Sequence, residues 1–482
     1  MKCLLLLSNN LNKEYLKNID FDKVFLIIAN EQFRYERYHQ FRIIYHLSAS
    51  IHFTKEEDIS LIKKENFIDI FKEFSKENEY IIYEPNDVWL KDLILTCLNQ
   101  CDLSFQFLPD INFFFKDIVN ELDEPPYKLD QLYKKWRKKF GILMDKNQPI
   151  GGKYSYDQEN RNRPPKTLDI DSPIKFKVDD ITNDVIKEVN KNFSNHPKSS
   201  KKFFYPVSTS DAKRLLKHFI EKRLPYFGTY QDAMMSEHPF MVHSLISTSI
   251  NLGLLMAKEV VKLIEKSYLD NKAPIEAVEG FIRQVLGWRE YIRGIYLKEM
   301  NREYQNSNVL NHKLDKPKFL YDGNTDLNCL KTVIKEIIDY GYNHHIQRLM
   351  IIGNISNLMG INPIYIREWF NEMYVDSFDW VVTPNVIGMA QYADGGLMST
   401  KPYIASANYI NKMSDYCKDC KYNPKEKTGD LACPVNALYY YFLDRHKKKL
   451  SKNPRMKFMY ANYYKLDKNV YNDLMEYAKK FI

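Results

Sequence analysis

The hydrophobic rhythm of the chain changes part-way along. Up to about residue 125, short apolar runs alternate with stretches of helical spacing. Residues 3–7, 24–29 and 79–83 read as strands, and 38–53 and 59–74 as helices. Strand and helix in alternation imply a parallel sheet covered by helices. Residues 126–200 are rich in Lys, Asn, Asp and Pro, with Gly151-Gly152 and Pro164-Pro165 as breakers, which predicts a long surface connection. From residue 201 onward the pattern is almost wholly helical. Phe281, Val285, Trp288 and Ile292 recur at helical spacing while Arg289 and Arg293 share another face. The expected architecture is an α/β, Rossmann-like parallel-sheet domain over 1–125, a linker over 126–200 and an all-α domain over 201–482.

Length agrees with this division, because 482 residues exceed what one ordinary core accommodates. The apolar run at residues 3–7 stops at Ser8-Asn9-Asn10, which fits a buried first strand better than a leader peptide. No apolar stretch approaches the roughly 18 residues that span a bilayer, so no membrane association is expected. Seven cysteines, an odd number, argue for reduced thiols inside a cell. The formal charge of +8 arises from 70 basic and 62 acidic residues, a modest excess that permits nucleic-acid binding without proving it.

Three segments carry candidate chemistry. Cys417-x-x-Cys420 followed by Cys433-Pro434 offers three thiolates, and Cys329 a distant fourth; zinc and iron fit this spacing equally well. Cys3, Cys97 and Cys101 read as core thiols. Residues 281–296 combine Trp288, three arginines and Glu290 within four turns, which suits a flat cofactor bearing phosphates, although a core helix with a solvated basic face has the same pattern. His243-Ser244-Leu245-Ile246-Ser247 marks a helix start where free N–H groups can take phosphate oxygens or where serine simply caps. Asn343-His344-His345-Ile346-Gln347-Arg348 sets two imidazoles beside a guanidinium, suited to proton transfer near neutral pH or to plain core packing.

Taken together, these segments resemble the photolyase and cryptochrome superfamily, in particular its iron–sulfur branch of bacterial cryptochromes and prokaryotic (6-4) photolyases. The strings that carry the resemblance are Gly141-Ile-Leu-Met with Gln148-Pro-Ile-Gly-Gly152, Gly228-Thr-Tyr-Gln-Asp-Ala-Met234, Glu279-Gly-Phe-Ile-Arg-Gln with Gly287-Trp-Arg-Glu-Tyr291, and His344-His-Ile-Gln-Arg-Leu-Met350. The longest follows: Pro384-Asn-Val-Ile-Gly-Met389, Ala393-Asp-Gly-Gly396, Lys401-Pro-Tyr403 and Met413-Ser-Asp-Tyr-Cys417. The likeness covers nearly the whole chain and is strongest over 141–437.

The resemblance implies an antenna domain followed by a helical domain that binds bent FAD and a 4Fe-4S cluster. It assigns the cluster to Cys329, Cys417, Cys420 and Cys433, in a structural role. His243, Ser244, Leu245, Ile246 and Ser247 fall where the FAD phosphates are held; Gln284, Trp288 and Arg289 line the cofactor; Arg348 and Asp376 pair at the flavin edge. The implied reaction is repair of (6-4) pyrimidine–pyrimidone photoproducts in UV-damaged DNA by an electron from excited reduced FAD. His345 matches the acid beside the lesion, with His344 supporting it, and Tyr403 and Tyr409 match the lesion pocket. Trp369 matches an electron-transfer tryptophan, while Phe370 and Tyr321 stand where some relatives have Tyr and Trp, leaving Trp380 as another route. Val382 replaces the polar or acidic residue usual near flavin N5.

Residues 31–46 would line the pocket of a second chromophore, 6,7-dimethyl-8-ribityllumazine, though His46 departs from the apolar residue expected there. Asp157 and Glu159, beside Arg161 and Arg163, match carboxylates that hold a divalent cation such as Mg2+, or are solvated loop charges. A monomer acting in the cytoplasm on nucleoid DNA, if the source is prokaryotic, completes the leading reading. The alternatives are a blue-light photoreceptor with the same cofactors and no repair, and an iron–sulfur nucleic-acid-binding module without photochemistry.

Overall fold

The structure, a computed structural model, describes residues 1–299 and 302–482. Its N-terminal part is a sheet of five parallel strands, β1 (Lys2–Leu6), β2 (Lys23–Ala29), β3 (Ser60–Lys64), β4 (Glu79–Tyr83) and β5 (Ser104–Leu108), in the order β3-β2-β1-β4-β5. The first strand lies at the centre, with Leu4 opposite Val24 on one side and Ile81 on the other. Strand alternation explains why the central strands read as unbroken apolar runs. Leu4, Leu6, Leu26, Ile28, Ile81 and Tyr83 face the large core shared with the helical domain, while Cys3, Leu5, Ile27, Tyr80 and Ile82 join a smaller core on the other face. Cys3 and Cys97 are buried in that smaller core, as expected of structural thiols.

The helix expected over 59–74 is instead strand β3 followed by the short helix Phe67–Phe71. Ile59, Ile62, Phe67, Ile70 and Phe74 imitate helical spacing, but Ser60–Lys64 completes the ladder with β2 as an edge strand whose side chains are half-buried. Its two lysines pair with Glu188 and Glu73, and edge lysines of this kind discourage pairing with other chains. The fifth strand was not anticipated either. The helix expected over 38–53 is found as Gln40–Glu56.

The stretch 126–200 is less of a surface connection than its composition predicts. Helix Leu129–Phe140 buries Tyr133, Trp136 and Arg137, and its end is closed by Gly141 at φ +66, the left-handed cap that glycine adopts without steric cost. Arg137 is fully enclosed because four backbone carbonyls, of Ile142, Leu143, Lys153 and Tyr154, receive its guanidinium. A second helix, Asp180–Asn192, packs on Gln40–Glu56.

The helical domain closes against the sheet domain through polar ties as well as apolar packing. Asn112 donates to the Ile250 carbonyl at 2.7 Å and accepts from the Ala257 amide at 2.7 Å. Arg42 reaches Ser377 at 2.9 Å, and Asp87 accepts from the Trp380 amide at 2.8 Å. Among the described residues no helix is long and apolar enough to cross a membrane. Helical regularity is broken by π turns at Arg283–Arg289, Gln347–Gly353 and Pro384–Ala390. Such bulges add a residue to a turn, redirect side chains and gather at functional sites.

Candidate functional site

Two of these π turns hold the residues singled out above. His344 and His345 lead into Gln347–Gly353, and the His344 ring stacks on that of His243 with centroids 4.4 Å apart. His243 donates through Nε2 to the Gln231 carbonyl at 3.1 Å. Arg348, one turn on, pairs with Asp376 at 3.0 Å and bonds the Asn343 carbonyl through Nε at 2.7 Å. Tyr374 lies under its guanidinium at 4.0 Å and Tyr342 at 5.3 Å. Ser247 donates to the other oxygen of Asp376 at 2.7 Å. The tertiary structure thus gathers His243, Ser247, His344, His345, Arg348 and Asp376 from three separate segments.

Burial controls the charges of this group. His243 is pushed down to about 3 by burial first, with His345, Arg223 and Arg348 adding to it. His344 is lowered well below the usual value by burial and then by His243 and His345. His345 falls to about 4 through its protein surroundings and Arg348, yet its side chain is exposed, so it opens on a recess within the protein. All three imidazoles are therefore neutral at pH 7. For Arg348 burial acts to lower the pKa, but Asp376 outweighs it and the net shift is upward.

The loop before Ser247 has a strained backbone. Leu245 sits at φ +62, a region rarely occupied by residues with a side chain and concentrated at functional loops. The helix predicted to open here begins at Ser247, is five residues long and caps nothing at His243. Leu245 and Ile246 bury their side chains in the core, leaving only backbone to face a ligand. Sequence reading missed Arg223, which is fully buried, donates to the His243 carbonyl and leaves Nε and Nη2 without a protein partner. A fully buried arginine is rare, but burial is a tertiary property and left no signal in the sequence.

A second group brings Tyr403 and Tyr409 near Arg161. Tyr403 is 37% exposed, and Tyr409 is half-buried. Burial and then Asp157 raise Tyr403, while burial and then Asp232 raise Tyr409; Arg161 acts on both in the opposite sense. Asp232, the neighbour of the Gln231 that holds His243, is itself raised to about 6 by burial. Asp157 accepts from Arg161 and from Arg283, and Glu159 from Lys153. Both carboxylates offered for a divalent cation are already paired with basic groups.

The residues assigned to the cofactor on the Arg283–Arg289 turn go different ways. Gln284 bonds the Gly280 carbonyl at 3.0 Å, and Trp288 meets Tyr291 edge-on at 5.7 Å. Arg289 reaches the Asn112 carbonyl at 2.8 Å and lies over Phe113 at 3.8 Å, so its contacts are to the sheet-domain side. Trp369 is fully buried, donates to the Leu320 carbonyl at 3.0 Å and meets Tyr374 edge-on at 6.0 Å, one ring away from Arg348. Tyr321 donates to Glu372 at 2.7 Å.

Cys329, Cys417, Cys420 and Cys433 are neighbours, and Tyr416, next to Cys417, accepts from Gln347 of the His344–Arg348 segment at 3.0 Å. The other three cysteines act electrostatically on Cys329, after burial, to raise its thiol. No three metal-binding side chains among the described residues converge on a single ion, so the thiols are grouped but spread. Cys329 lies in the first turn of helix Asn328–Tyr340, and Cys433 caps helix Pro434–Leu450. Two positive helix ends thereby face the thiols.

Another recess lies between the domains, lined by Ser8, Gln32, Phe33, Arg42, His46 and Trp89 among others. Ser8 bonds His46 Nδ1 at 3.0 Å, while Gln32 Nε2, Arg42 Nε, His46 Nε2 and Trp89 Nε1 are buried without protein partners.

This combination of parallel-sheet domain, helical domain and His–Arg–Asp recess has counterparts among known proteins. A family model described as deoxyribodipyrimidine photo-lyase-related protein matches residues 4–205. A (6-4) photolyase of Agrobacterium fabrum is 46% identical over 355 residues, spanning 73% of this chain and 70% of that protein. The chain belongs to the photolyase and cryptochrome superfamily. An uncharacterized protein of Acanthamoeba polyphaga mimivirus is 45% identical over 94 residues, 20% of this chain and 69% of that one. Among solved structures, a class III photolyase from Agrobacterium tumefaciens superposes with a TM-score of 0.57 at 14% identity, covering 96% of this chain and 98% of its own. A Synechocystis cryptochrome gives 0.57 at 12%, covering 86% and 88%. These superpositions establish that the photolyase fold runs through both domains.

Proposed function

We propose that this protein repairs (6-4) pyrimidine–pyrimidone photoproducts in UV-damaged DNA, driven by light absorbed with reduced FAD. The observation that carries the reading is the 46% identity, across 73% of the chain, to a protein named (6-4) photolyase. The residues of the recess fit a flavin nucleotide. Arg223 Nε and Nη2, Thr248 Oγ1, Gln231 Oε1 and both nitrogens of His344 are buried beside the His243–Ser247 loop with no protein partner, and a phosphorylated flavin carries the acceptors and donors such atoms require.

When bound, reduced FAD supplies the excited electron that opens the link between the damaged bases and takes it back afterwards. The chain's own residues position and protonate. Arg223, Ser244, Ser247 and the strained backbone at Leu245–Ile246 would hold the phosphates, and Gln284 and Trp288 the rest of the cofactor, whereas Arg289 is held by Asn112 and Phe113. Arg348, fixed by Asp376, keeps a positive charge beside the flavin and favours its anionic form. His345, neutral and open to the recess, offers one N–H and one acceptor nitrogen to the base oxygen that changes partners during repair. His344 is its support through the stack on His243. Tyr403 and Tyr409 form the rim against which flipped bases would rest, and Trp369 is the route for electrons entering the site.

The four neighbouring cysteines offer the four thiolates that a 4Fe-4S cluster takes. The unpartnered donors of Gln32, Arg42, His46 and Trp89, with Phe33 as a flat wall, fit a ribityl-lumazine antenna with its ring carbonyls and hydroxyls. Mg2+ at Asp157 and Glu159 would have to displace Arg161, Arg283 and Lys153, and no step above requires it.

The decisive experiment gives the reduced protein a defined (6-4) oligonucleotide and counts restored pyrimidines after blue light, against a dark control and His345→Ala. Restoration that depends on light and disappears in the variant is expected. No restoration with reduced FAD bound would leave a photoreceptor instead.

A further inference from the structure

We propose that residues 452–458, beside the lesion recess, form a DNA-gripping wedge: Lys452, Arg455 and Lys457 hold phosphates of the damaged duplex, and Phe458 stacks on the base that loses its partner when the lesion leaves the helix. The proposal rests on the repair reading and names how the duplex is held.

Charge is the first observation. From residue 445 to residue 466 the chain contains no Asp or Glu, while Lys and Arg recur throughout. Among the described residues none of Lys401, Lys452, Arg455 and Lys457 takes part in an ion pair. Exposed cations left unneutralised by the protein suit a polyanion.

Position is the second. Asn453 donates to the Thr400 carbonyl at 2.9 Å, tying this segment to the loop that carries Lys401 and Tyr403. Arg455 is near enough to act on both, after burial, together with Arg161. Arg161, Lys401 and Arg455 therefore surround the mouth at Tyr403.

Rigidity is the third. Asn453 caps the turn by accepting from the Arg455 amide at 2.9 Å, and helix Lys457–Tyr464 follows at once. Met456 is 0% and Tyr460 2% exposed, anchoring the segment from below, whereas Phe458 is 79% exposed, the most of any large hydrophobic side chain described. A lone exposed aromatic is ordinary on a protein surface. One held on a fixed turn, three positions from Arg455 and bordered by cations, matches the pairing of phosphate contacts with an apolar side chain that unstacks or fills a duplex.

The test measures dark equilibrium binding of the full-length protein to one sequence in three forms: a duplex carrying the (6-4) lesion, the lesion single strand, and a duplex with two abasic residues in place of the lesion. Phe458→Ala should weaken both duplexes about 10-fold and leave the single strand unchanged, and Phe458→Trp should restore binding. 2-Aminopurine opposite the lesion should be quenched by the wild type and bright with Phe458→Ala. Arg455→Gln and Lys457→Gln should each lower the salt slope by about one. Equal binding of all forms by Phe458→Ala, or an equal loss on single strand and duplex, overturns the wedge. Light-dependent repair by the wild type is scored separately. Its absence rejects the repair reading, while the abasic duplex still reports on Phe458.

Discussion

The imidazole rings of His243 and His344 lie face to face, 4.4 Å between centroids and 11° from parallel. Two charged rings would repel in this arrangement, and burial keeps both neutral. His344 offers a test of what the stack is for, since neither of its nitrogens bonds to protein. If its role is to support His345 by packing, His344→Phe should keep stability and most repair, while His344→Ala should lose about 2–4 kcal/mol in denaturant unfolding. Equal damage from both variants would mean that the nitrogens themselves bond to cofactor or lesion.

Asp376 joins Arg348 to Ser247 and so ties two sides of the recess together. Asp376→Asn retains an acceptor for Ser247 but leaves Arg348 without its counter-charge. Breaking a buried pair on one side costs about 3–5 kcal/mol. The variant should purify with less flavin, read from the ratio of visible to ultraviolet absorbance, and should melt earlier. Undiminished flavin content would remove this pair from the cofactor site.

Glu336 predicts a pH dependence of stability. Burial raises it to about 8, against the hydrogen bonds from Gln347 and Asn343 that act to lower it. The folded protein therefore holds a proton that the unfolded chain releases near its ordinary value of 4.5. Its contribution is complete below pH 4.5 and is lost as pH rises through 8, a difference on the order of 5 kcal/mol. Glu336→Gln should flatten the fall in unfolding free energy between pH 5 and pH 9. An unchanged profile would show that Glu336 is ionised in the folded state.

Trp369 connects to Arg348 through the ring of Tyr374. Trp369→Phe should slow light-driven reduction of the flavin at least 10-fold by transient absorption, while protein reduced chemically repairs lesions at the normal rate. The lost bond to the Leu320 carbonyl adds about 1 kcal/mol of destabilisation. Unchanged photoreduction would direct attention to Trp380, which contacts Phe113 and Arg289 instead.

The sequence by itself determined the division into a parallel-sheet part and a helical part, because alternating and helical periods record which side chains are buried. The cysteine spacing, the His344-His345 pair and the strings shared with photolyases were equally legible, since each is local. Tertiary structure alone decided the rest. Residues 59–74 have helical spacing, yet Ser60–Lys64 becomes an edge strand because the neighbouring ladder was open to it, and only Phe67–Phe71 stays helical. Arg289, on the expected helix face, was drawn to Asn112 and Phe113 across the domain boundary. Ser247 and Asp376 meet across 129 positions, and Arg42 and Ser377 across 335. Periodicity encodes burial but not the identity of a partner so distant, and a π turn shifts which side chains point inward without leaving a mark in the period.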